Sequence, residues 1–301
     1  MSYLCAQFFF MAHKSGFVNI VGSPNVGKST LMNRLVGERV SIVTSKAQTT
    51  RHRIIGIVND EDYQVVFSDT PGVVNAAYKL HENMMDSVQG SIKDADVLLF
   101  VTDTHEKEMN HRKTLDRIKK LEIPVFCLIN KIDLSEQDRV FKRIAYWKEQ
   151  LPNAKIYPIS ALHDFNIESV WTEIVSHIPE SPPYYDKEDL TDRPLRFFIS
   201  EIIREKIFEL CQKEIPYSCQ VLVEEYKEDG RMIRIRAQII VERDSQKGII
   251  IGKGGEMLQK IGKKSRIDLE NFLDRKVFLE NFVKVDKDWR SSEQKLKKYG
   301  Y

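Results

Sequence analysis

The sequence is poor in cysteine and has no long apolar run. Its four cysteines, Cys5, Cys127, Cys211 and Cys219, show no C-x-x-C spacing and lie inside apolar patterns, which predicts buried thiols in a reducing cytosol rather than disulfides. No stretch approaches the roughly 18 consecutive apolar residues that a membrane-spanning helix needs. The seven histidines share no metal-ligand spacing, so a zinc site is not expected.

The first residues also lack the features of a secretion signal. The apolar stretch Phe8–Phe10 has neither a charged start nor a small-residue cleavage site. Two interpretations stay open. Either residues 1–16 form an extension ahead of the first strand, which we expect to open at Phe17, or translation begins at Met11.

What is present is a composition typical of globular proteins, with 42% apolar and 30% charged residues in 301. This length suits two domains. Charge is unevenly distributed, because residues 195–301 carry 23 basic and 18 acidic side chains whereas residues 1–194 carry 23 and 26. The basic C-terminal half suggests a polyanionic partner, although a solvated surface would look the same.

Short apolar runs alternate with amphipathic stretches across residues 17–180. Such alternation predicts a mostly parallel sheet with helices on both faces, as in nucleotide-binding α/β domains. The segments Arg53–Val58 and Tyr63–Ser68 are separated by only a few polar residues, which predicts an antiparallel hairpin at a sheet edge. The other expected strands are Phe17–Gly22, Val97–Thr102, Val125–Asn130 and Ile156–Ile159.

A proline-rich and then acidic segment follows, and we interpret residues 181–194 as an interdomain linker. Residues 195–301 then read as a separate α+β domain. Its expected elements are a helix Leu195–Cys211, a hairpin of Ser218–Tyr226 and Met232–Glu242, a helix ending near Leu273, a strand Val277–Val285 and a charged helix from about Asp288. The three tryptophans, Trp147, Trp171 and Trp289, are expected to pack structurally on helices.

The sharpest motif is the segment from Gly22 to Ser29, which fits G-x-x-x-x-G-K-[ST] between a predicted strand and a predicted helix. The backbone N–H groups of such a loop cradle phosphates, and the start of the helix adds a favourable dipole. Lys28 would reach the outer phosphates, and the Ser29 hydroxyl would ligate Mg²⁺. The predicted nucleotide contacts here are Gly22, Ser23, Pro24, Asn25, Val26, Gly27, Lys28, Ser29 and Thr30.

Two further segments are expected to meet the phosphates and the metal. Asp69, Thr70, Pro71 and Gly72 follow a buried strand, so Asp69 would hold Mg²⁺ through water and Gly72 would offer its N–H to the γ-phosphate. The polar loop 45–51 reads as a switch, ordered when a γ-phosphate is present. Thr50 is the predicted metal ligand there, and Thr49 is the alternative.

The base is expected to be read at the ends of two later strands. Asp133 can accept from both the ring N–H and the exocyclic amine of guanine, whereas adenine would leave its charge unpaired. Asn130 and Lys131 would brace the loop and cover the base. The segment Ser160, Ala161 and Leu162 would supply a backbone N–H to the guanine carbonyl.

In the C-terminal half, the run Ile249–Gly255 ends in a G-x-x-G loop, which we interpret as preceded by an apolar strand and followed by a helix. Such a loop lets a nucleic-acid backbone approach closely, with unstacked bases in the adjacent apolar groove. Single-stranded RNA is the expected partner. The predicted RNA contacts are Ile251, Gly252, Lys253, Gly254, Gly255, Lys260, Lys263, Lys264 and Arg266.

These motifs together resemble the Era family among the translation-factor-related small GTPases. The likeness rests on P-N-V-G-K-S-T, K-A-Q-T-T-R-H-R, D-T-P-G, N-K-I-D, the linker P-P-Y-Y and the late G-K-G-G. It implies a P-loop GTPase domain followed by a type II KH domain. It also implies binding of small-subunit ribosomal RNA near its 3′ end, a role in assembling the small ribosomal subunit, and peripheral contact of a cytoplasmic monomer with the inner membrane. Ser23 stands where the family often has arginine, and the first ten residues have no counterpart.

The resemblance also bears on catalysis. Related signalling GTPases carry a water-orienting glutamine after the glycine, where this chain has Val73. Catalysis would then rest on Mg²⁺, Lys28, Thr50 and the Gly72 N–H, with slow intrinsic turnover. In similar GTPases an asparagine at the position of Asn25 helps to hold K⁺ against the phosphates, which predicts K⁺-stimulated hydrolysis. Asn25 as a plain turn residue is the alternative.

Three functions therefore stay open. The first is an RNA-coupled GTPase switch in ribosome assembly. The second is an RNA-binding protein with an inert nucleotide domain, and the third is a membrane-associated signalling GTPase whose C-terminal half is a scaffold.

Overall fold

Two β-sheets organise the two halves of the chain. The computed structural model describes residues 13–106 and 112–301. A six-stranded sheet forms in the first half and a three-stranded sheet in the second. The expectations for Cys5, for a start at Met11 and for most of the extension 1–16 lie outside the described residues.

The first sheet has the strand order β2-β3-β1-β4-β5-β6. Only β2 runs antiparallel, so the predicted edge hairpin is confirmed. β1 begins at Lys14, three residues before the expected Phe17, because Lys14 still pairs with Tyr63 of the neighbouring strand. The strands are β1 Lys14–Gly22, β2 Ile54–Asn59, β3 Tyr63–Asp69, β4 Val97–Asp103, β5 Val125–Asn130 and β6 Lys155–Pro158.

Helices cover both faces of this sheet, as the alternating pattern predicts. The central strands β1, β4 and β5 are almost continuously buried, which explains their unbroken apolar runs. Side chains of α1 and α5 share one core with the sheet, and those of α2, α3 and α4 share another. The helices are α1 Lys28–Val36, α2 Lys79–Lys93, α3 Arg112–Ile118, α4 Gln137–Gln150 and α5 Ile167–His177.

The linker is irregular, as its prolines predict, but it is attached to the edge of the first sheet. The Gln64 side chain accepts from the backbone N–H groups of Tyr184 and Tyr185 at 2.7 and 3.0 Å. Ile57 of β2 donates its N–H to the Leu190 carbonyl at 2.8 Å. The bond from Ile57 uses a backbone group on the open side of the edge strand β2, so the linker also covers that edge.

The second half is the expected α+β unit. Its sheet has the order β7-β8-β9, with β7 and β8 antiparallel and β8 and β9 parallel. The elements are α6 Leu195–Leu210, α7 Ile215–Ser218, β7 Gln220–Asp229, β8 Met232–Val241, α8 Asp244–Ile251, α9 Glu256–Leu273, β9 Lys276–Val285 and α10 Glu293–Lys298.

Three expectations about this half are wrong. The apolar run before the G-x-x-G loop is helix α8 and not a strand, because the Gln246 side chain accepts from the N–H groups of Glu242 and Arg243 and so caps the helix. The first hairpin strand begins at Gln220, after the short helix α7. The last helix begins at Glu293 rather than near Asp288.

The tryptophans pack structurally, as expected. Trp147 on α4 and Trp289 are fully buried, and Trp171 on α5 lies 5.8 Å from the Phe67 ring. Trp289 is not on a helix but in the turn before α10, where its ring N–H donates to the Ser218 carbonyl at 3.0 Å. It joins the two halves, because it shares a core cluster with Leu80 of α2.

Cys127, Cys211 and Cys219 are buried free thiols. Among residues 13–106 and 112–301, no helix is both long and apolar enough to cross a bilayer.

The packing of Trp147 predicts a large effect of its truncation. Trp147→Ala removes a fully buried ring that lies edge-on to Phe100 at 5.0 Å. We expect the free energy of unfolding, measured by urea denaturation, to fall by about 3–5 kcal/mol. Phe141→Ala on the same helix is the control, since Phe141 is 58% exposed, and should change stability by less than about 0.5 kcal/mol. Equal effects of the two substitutions would contradict this packing.

Candidate nucleotide site and nucleic-acid groove

The predicted phosphate loop joins β1 to α1. Gly27 at the start of α1 has φ 97°, a left-handed conformation that favours glycine. A Cβ atom at this position would lie 2.2 Å from the Asn130 side-chain nitrogen. Asn25 is also left-handed, at φ 64°, which asparagine tolerates better than most residues. The loop therefore turns tightly and keeps its backbone close to β5.

The Asn130 side chain links three of the predicted loops. Its Nδ2 donates to the Val26 carbonyl at 2.8 Å, and its Oδ1 accepts from the Ala161 N–H at 3.0 Å. Lys131, the next residue, donates to the Asn25 carbonyl and to Asp103 Oδ2 at 3.0 Å. The structure thus brings the phosphate loop, the N-K-I-D segment and the S-A-L segment together.

Asp133 belongs to the part of this assembly that is expected to contact the guanine base. Its Oδ1 accepts from the Ser160 hydroxyl at 2.6 Å, and its Oδ2 is 3.8 Å from His163 Nε2. Ala161 and Leu162 line a pocket of about 310 Å³ with Thr30. The phosphate loop and the switch residues line a neighbouring cavity of about 370 Å³. Asp133 lines neither cavity, but its neighbour Leu134 lines the larger one, and one Asp133 carboxylate oxygen is fixed by Ser160.

The three predicted metal ligands meet in one cluster. Ser29 Oγ is 2.6 Å from Asp69 Oδ2 and 2.9 Å from Thr50 Oγ1. The other carboxylate oxygen of Asp69 is buried without a hydrogen-bond partner among the described residues. Burial raises the pKa of Asp69, against the effects of Ser29 and Lys28. Thr49, the alternative ligand, instead contacts Thr44 at 2.6 Å.

Lys28 is enclosed in the same site. Its ammonium group donates to the Ser23 carbonyl at 2.8 Å. Burial lowers the pKa of Lys28 to about 8, although the charges of Asp69 and Glu106 partly oppose this shift. A buried cation at the start of a helix is suited to hold phosphate oxygens.

Gly72 and Val73 lie against the phosphate loop. A Cβ at Gly72 would be 2.8 Å from Pro24, so only glycine fits this contact. Val73 donates its N–H to the Gly22 carbonyl at 3.1 Å, and its side chain is 4% exposed. Thr70 does not face the cavity; its hydroxyl donates to the Ile20 carbonyl at 2.7 Å and fixes the end of β3.

Sequence reasoning missed two acidic residues of this site. Glu106 accepts from the Ser23 hydroxyl and from Thr102 at 2.7 Å, and burial raises its pKa. Asp103 pairs with Lys131, which lowers the pKa of Asp103 although burial opposes this. The only signal available was their position, with Asp103 ending β4 and Glu106 just after it, at the same sheet edge as the motifs.

The predicted switch loop is held by the C-terminal half of the chain. Arg51 donates to the Cys219 carbonyl at 2.7 Å and to the Pro216 carbonyl at 2.9 Å. Lys46 donates to the Phe208 carbonyl in the last turn of α6 and to the Cys211 carbonyl just after it. The buried Arg204 on α6 donates to the Thr49 carbonyl. The loop that places Thr50 therefore depends on contacts with α6 and α7.

The second predicted site is a groove of about 910 Å³ between α9 and β9. Of the predicted contacts, it gathers Gly254, Gly255, Lys260, Lys263 and Arg266. The other four do not line it. Lys264 lies 3.6 Å from Glu209 of α6, and Ile251, Gly252 and Lys253 lie at the end of α8 and in the loop that follows. The groove is thus basic along one helix face.

Comparisons with known proteins support the fold predicted for each half of the chain. A family model described as a 50S ribosome-binding GTPase matches residues 17–131, and a KH domain model matches residues 214–290. The GTPase Era of Geotalea uraniireducens is 47% identical over 291 residues, covering 96% of this chain and 98% of that protein.

The chain belongs to the Era family of GTPases.

Solved structures of Era support this assignment. An Aquifex aeolicus Era variant bound to GDP·AlF4⁻ superposes with a TM-score of 0.91 and 40% identity, covering 96% of this chain and 99% of the other. An Era complex with MgGDPNP and nucleotides 1506–1542 of 16S ribosomal RNA gives 0.91 and 39%, with the same coverage. The predicted fold, a P-loop GTPase domain followed by a KH domain, is confirmed. As an Era-family GTPase, the chain hydrolyses GTP.

The pKa of Lys28 predicts pH-dependent nucleotide binding. Phosphate groups favour the charged ammonium, so binding raises the pKa of Lys28 above its value of about 8 in this structure. Below pH 7 Lys28 is charged with or without nucleotide, so its titration should leave the Kd for GDP constant. Above pH 8 the free protein loses this charge, and the Kd should rise by up to about tenfold per pH unit. Titration with a fluorescent GDP analogue from pH 7 to 9 measures this.

The variant Lys28→Ala is the control for titration of the guanine ring itself. It should bind more weakly, with a Kd that changes little over this range. A wild-type Kd that stays constant from pH 7 to 9 would contradict the assigned role of Lys28.

Proposed function

We propose that this protein is a Mg²⁺-dependent GTPase switch that binds small-subunit ribosomal RNA through its KH domain and acts in assembly of the small ribosomal subunit. The observation that carries the proposal is the convergence of Ser29, Thr50 and Asp69 beside Lys28, with Asn130 joining the loops around them. The Era complex with MgGDPNP and a 16S ribosomal RNA fragment supports the choice of ligands.

The residues fit a magnesium ion. Mg²⁺ prefers oxygen ligands and usually keeps several waters, with one or two protein side chains and phosphate oxygens. Ser29 and Thr50 supply hydroxyls, and Asp69 has a buried oxygen with no partner among the described residues. A bound Mg²⁺ would neutralise charge on the β- and γ-phosphates. Thr50 would be a magnesium ligand only while the switch loop keeps the conformation that it has in this structure.

The base would be chosen by Asp133. With one oxygen fixed by Ser160, its carboxylate can accept from the guanine ring N–H and from the exocyclic amine. Adenine offers neither donor there and would leave the charge unpaired. Asn130 and Lys131 hold this segment against the phosphate loop, so that the base and phosphate subsites keep a fixed separation.

Hydrolysis would depend on positioning rather than on a side-chain base. Val73 is apolar and buried, so it cannot orient the attacking water. Lys28 and the Gly72 N–H would stabilise negative charge that develops on the γ-phosphate, and the phosphate loop would supply further N–H donors. Slow intrinsic turnover follows, because no side chain among these is placed to position the water.

Potassium stimulation follows if Asn25 holds a cation against the phosphates. GTP hydrolysis should then be at least about tenfold faster in KCl than in NaCl of equal ionic strength. Asn25→Gly separates this role from a turn role, since glycine adopts φ 64° without strain. The variant should hydrolyse GTP at equal rates in both salts, whereas Ser23→Ala should keep the difference. A retained K⁺ effect in Asn25→Gly would show that Asn25 is a turn residue.

The KH domain supplies the RNA-binding part of the proposal. Lys260, Lys263 and Arg266 line a groove that also contains Gly254 and Gly255 of the G-x-x-G loop. This arrangement suits phosphates of single-stranded RNA at the loop and bases in the groove. Binding of this kind weakens as salt concentration rises.

The contacts between the halves favour a coupled switch over the two alternatives. Arg51 and Thr49 of the switch loop are bonded to α7 and α6, next to the residue that completes the metal site. A KH domain acting only as a scaffold would not need such contacts, and an inert nucleotide domain would not need the metal cluster. RNA binding is thereby expected to change the position of Thr50.

Steady-state GTP hydrolysis with and without small-subunit RNA tests this function. We expect RNA to change the rate of the wild-type protein by about fivefold or more. Arg51→Ala removes the bonds to the Pro216 and Cys219 carbonyls and should reduce this RNA effect. Arg275→Ala is the matched control, because Arg275 also donates to a backbone carbonyl, that of Gly230 at 2.7 Å, but far from the switch.

The outcomes separate the three functions. A rate that RNA leaves unchanged in the wild-type protein would favour the membrane-signalling alternative. Absence of hydrolysis with intact RNA binding would favour the inert nucleotide domain. The cytoplasmic location, the monomeric state and the peripheral membrane contact enter the proposal from the family resemblance, and cell fractionation and sedimentation test them.

A further inference from the structure

One residue in the KH groove departs from the pattern of its strand. Alternate side chains of β9 face α9 and the domain core, and the row reads Val277, Leu279, Asn281, Val283 and Val285. Directly across on β8, Asn281 is paired with the fully buried Ala237. An amide therefore occupies a position at which every neighbour in the row is apolar.

This amide has no partner among the residues that the structure describes. Both Asn281 Nδ2 and Oδ1 are buried, and neither forms a hydrogen bond with the described residues. Burying an unpaired amide destabilises a fold, and a leucine or valine at this site would avoid that cost. Packing therefore does not account for an asparagine here.

A second residue that destabilises the fold, Gly262, faces Asn281 across the groove. Gly262 lies in the middle of α9, where glycine is less favourable than alanine. A Cβ at this position would lie 3.3 Å from Asn281 Nδ2, closer than an ordinary contact. Gly262, Asn281, Leu258 and Leu279 all line the same groove. Two residues that destabilise the fold, Gly262 and Asn281, thus lie side by side where RNA bases are expected, which is typical of functional sites.

We propose that Asn281 reads one adenine of the bound RNA, an inference that rests on the proposed RNA-binding function of the groove. An asparagine amide offers a donor and an acceptor side by side, matching the adenine N6 amine and N7. Leu258 and Leu279 provide apolar walls for the purine ring, while Lys260, Lys263 and Arg266 reach the phosphates. Rotation of the Asn281 side chain away from Gly262 presents the amide to the base.

Fluorescence anisotropy with three labelled RNA octamers tests this inference. The octamers are oligo(A), oligo(U), and an oligo(A) analogue built from purine riboside, which lacks only the N6 amine. Wild-type protein should bind oligo(A) about fivefold or more tightly than the purine riboside octamer. Asn281→Leu should bind these two octamers equally. Asn271→Leu is the control, because Asn271 is exposed on α9 outside the groove, and it should keep the wild-type ratio.

A stability measurement distinguishes base reading from a structural role. If the Asn281 amide serves only the RNA, Asn281→Leu should melt at a higher temperature than wild type, since an unpaired buried amide is removed. Asn281→Ala provides a second variant should leucine prove too large, and it should likewise lose the discrimination between the two octamers.

The outcomes also separate this inference from the broader function. A wild-type protein that discriminates between the octamers while Asn281→Leu and Asn281→Ala discriminate equally well overturns the role of Asn281, as does wild-type preference for oligo(U). Failure of wild-type protein to bind any of the three octamers overturns the RNA-binding function together with this inference.

Discussion

The Asn130 side chain holds the nucleotide site together. It donates to the phosphate loop at Val26 and accepts from the S-A-L segment at Ala161, so one amide fixes the distance between the phosphate end and the base end. Its position also restricts Gly27, because any side chain there would collide with the amide. Asn130 is the last residue of the buried strand β5. The sheet therefore fixes the positions of loops that have no regular structure of their own.

The same principle explains why most of this site could be predicted from the sequence. Carboxyl ends of parallel strands lie at one edge of a sheet, so Asp69 and Asn130 were expected at the same edge once β3 and β5 were recognised as strands. The choice between Thr49 and Thr50 was not decided by the sequence, because neighbouring loop residues have no periodicity. In the structure it is Thr50 that lies beside Ser29.

Other features could not be predicted, for identifiable physical reasons. The run Ile249–Ile251 is compatible with a buried strand or a buried helix, and the capping bonds of Gln246 make it a helix. Lys46 and Arg51 donate to backbone carbonyls of the KH half, and carbonyl positions leave no trace in the sequence. Glu106 belongs to the site because it accepts a hydrogen bond from Ser23 of the phosphate loop, a residue far from it in the sequence. The contact between the halves therefore became visible only in the folded chain.

Nucleotide discrimination tests the central claim most directly, because it requires the base end, the phosphate end and their spacing at once. Isothermal titration calorimetry of the full chain with Mg²⁺ should show binding of GDP and at least about 10⁴-fold weaker binding of ADP, since adenine leaves Asp133 unpaired. Equal binding of the two nucleotides, or tighter binding of ADP, would contradict the account.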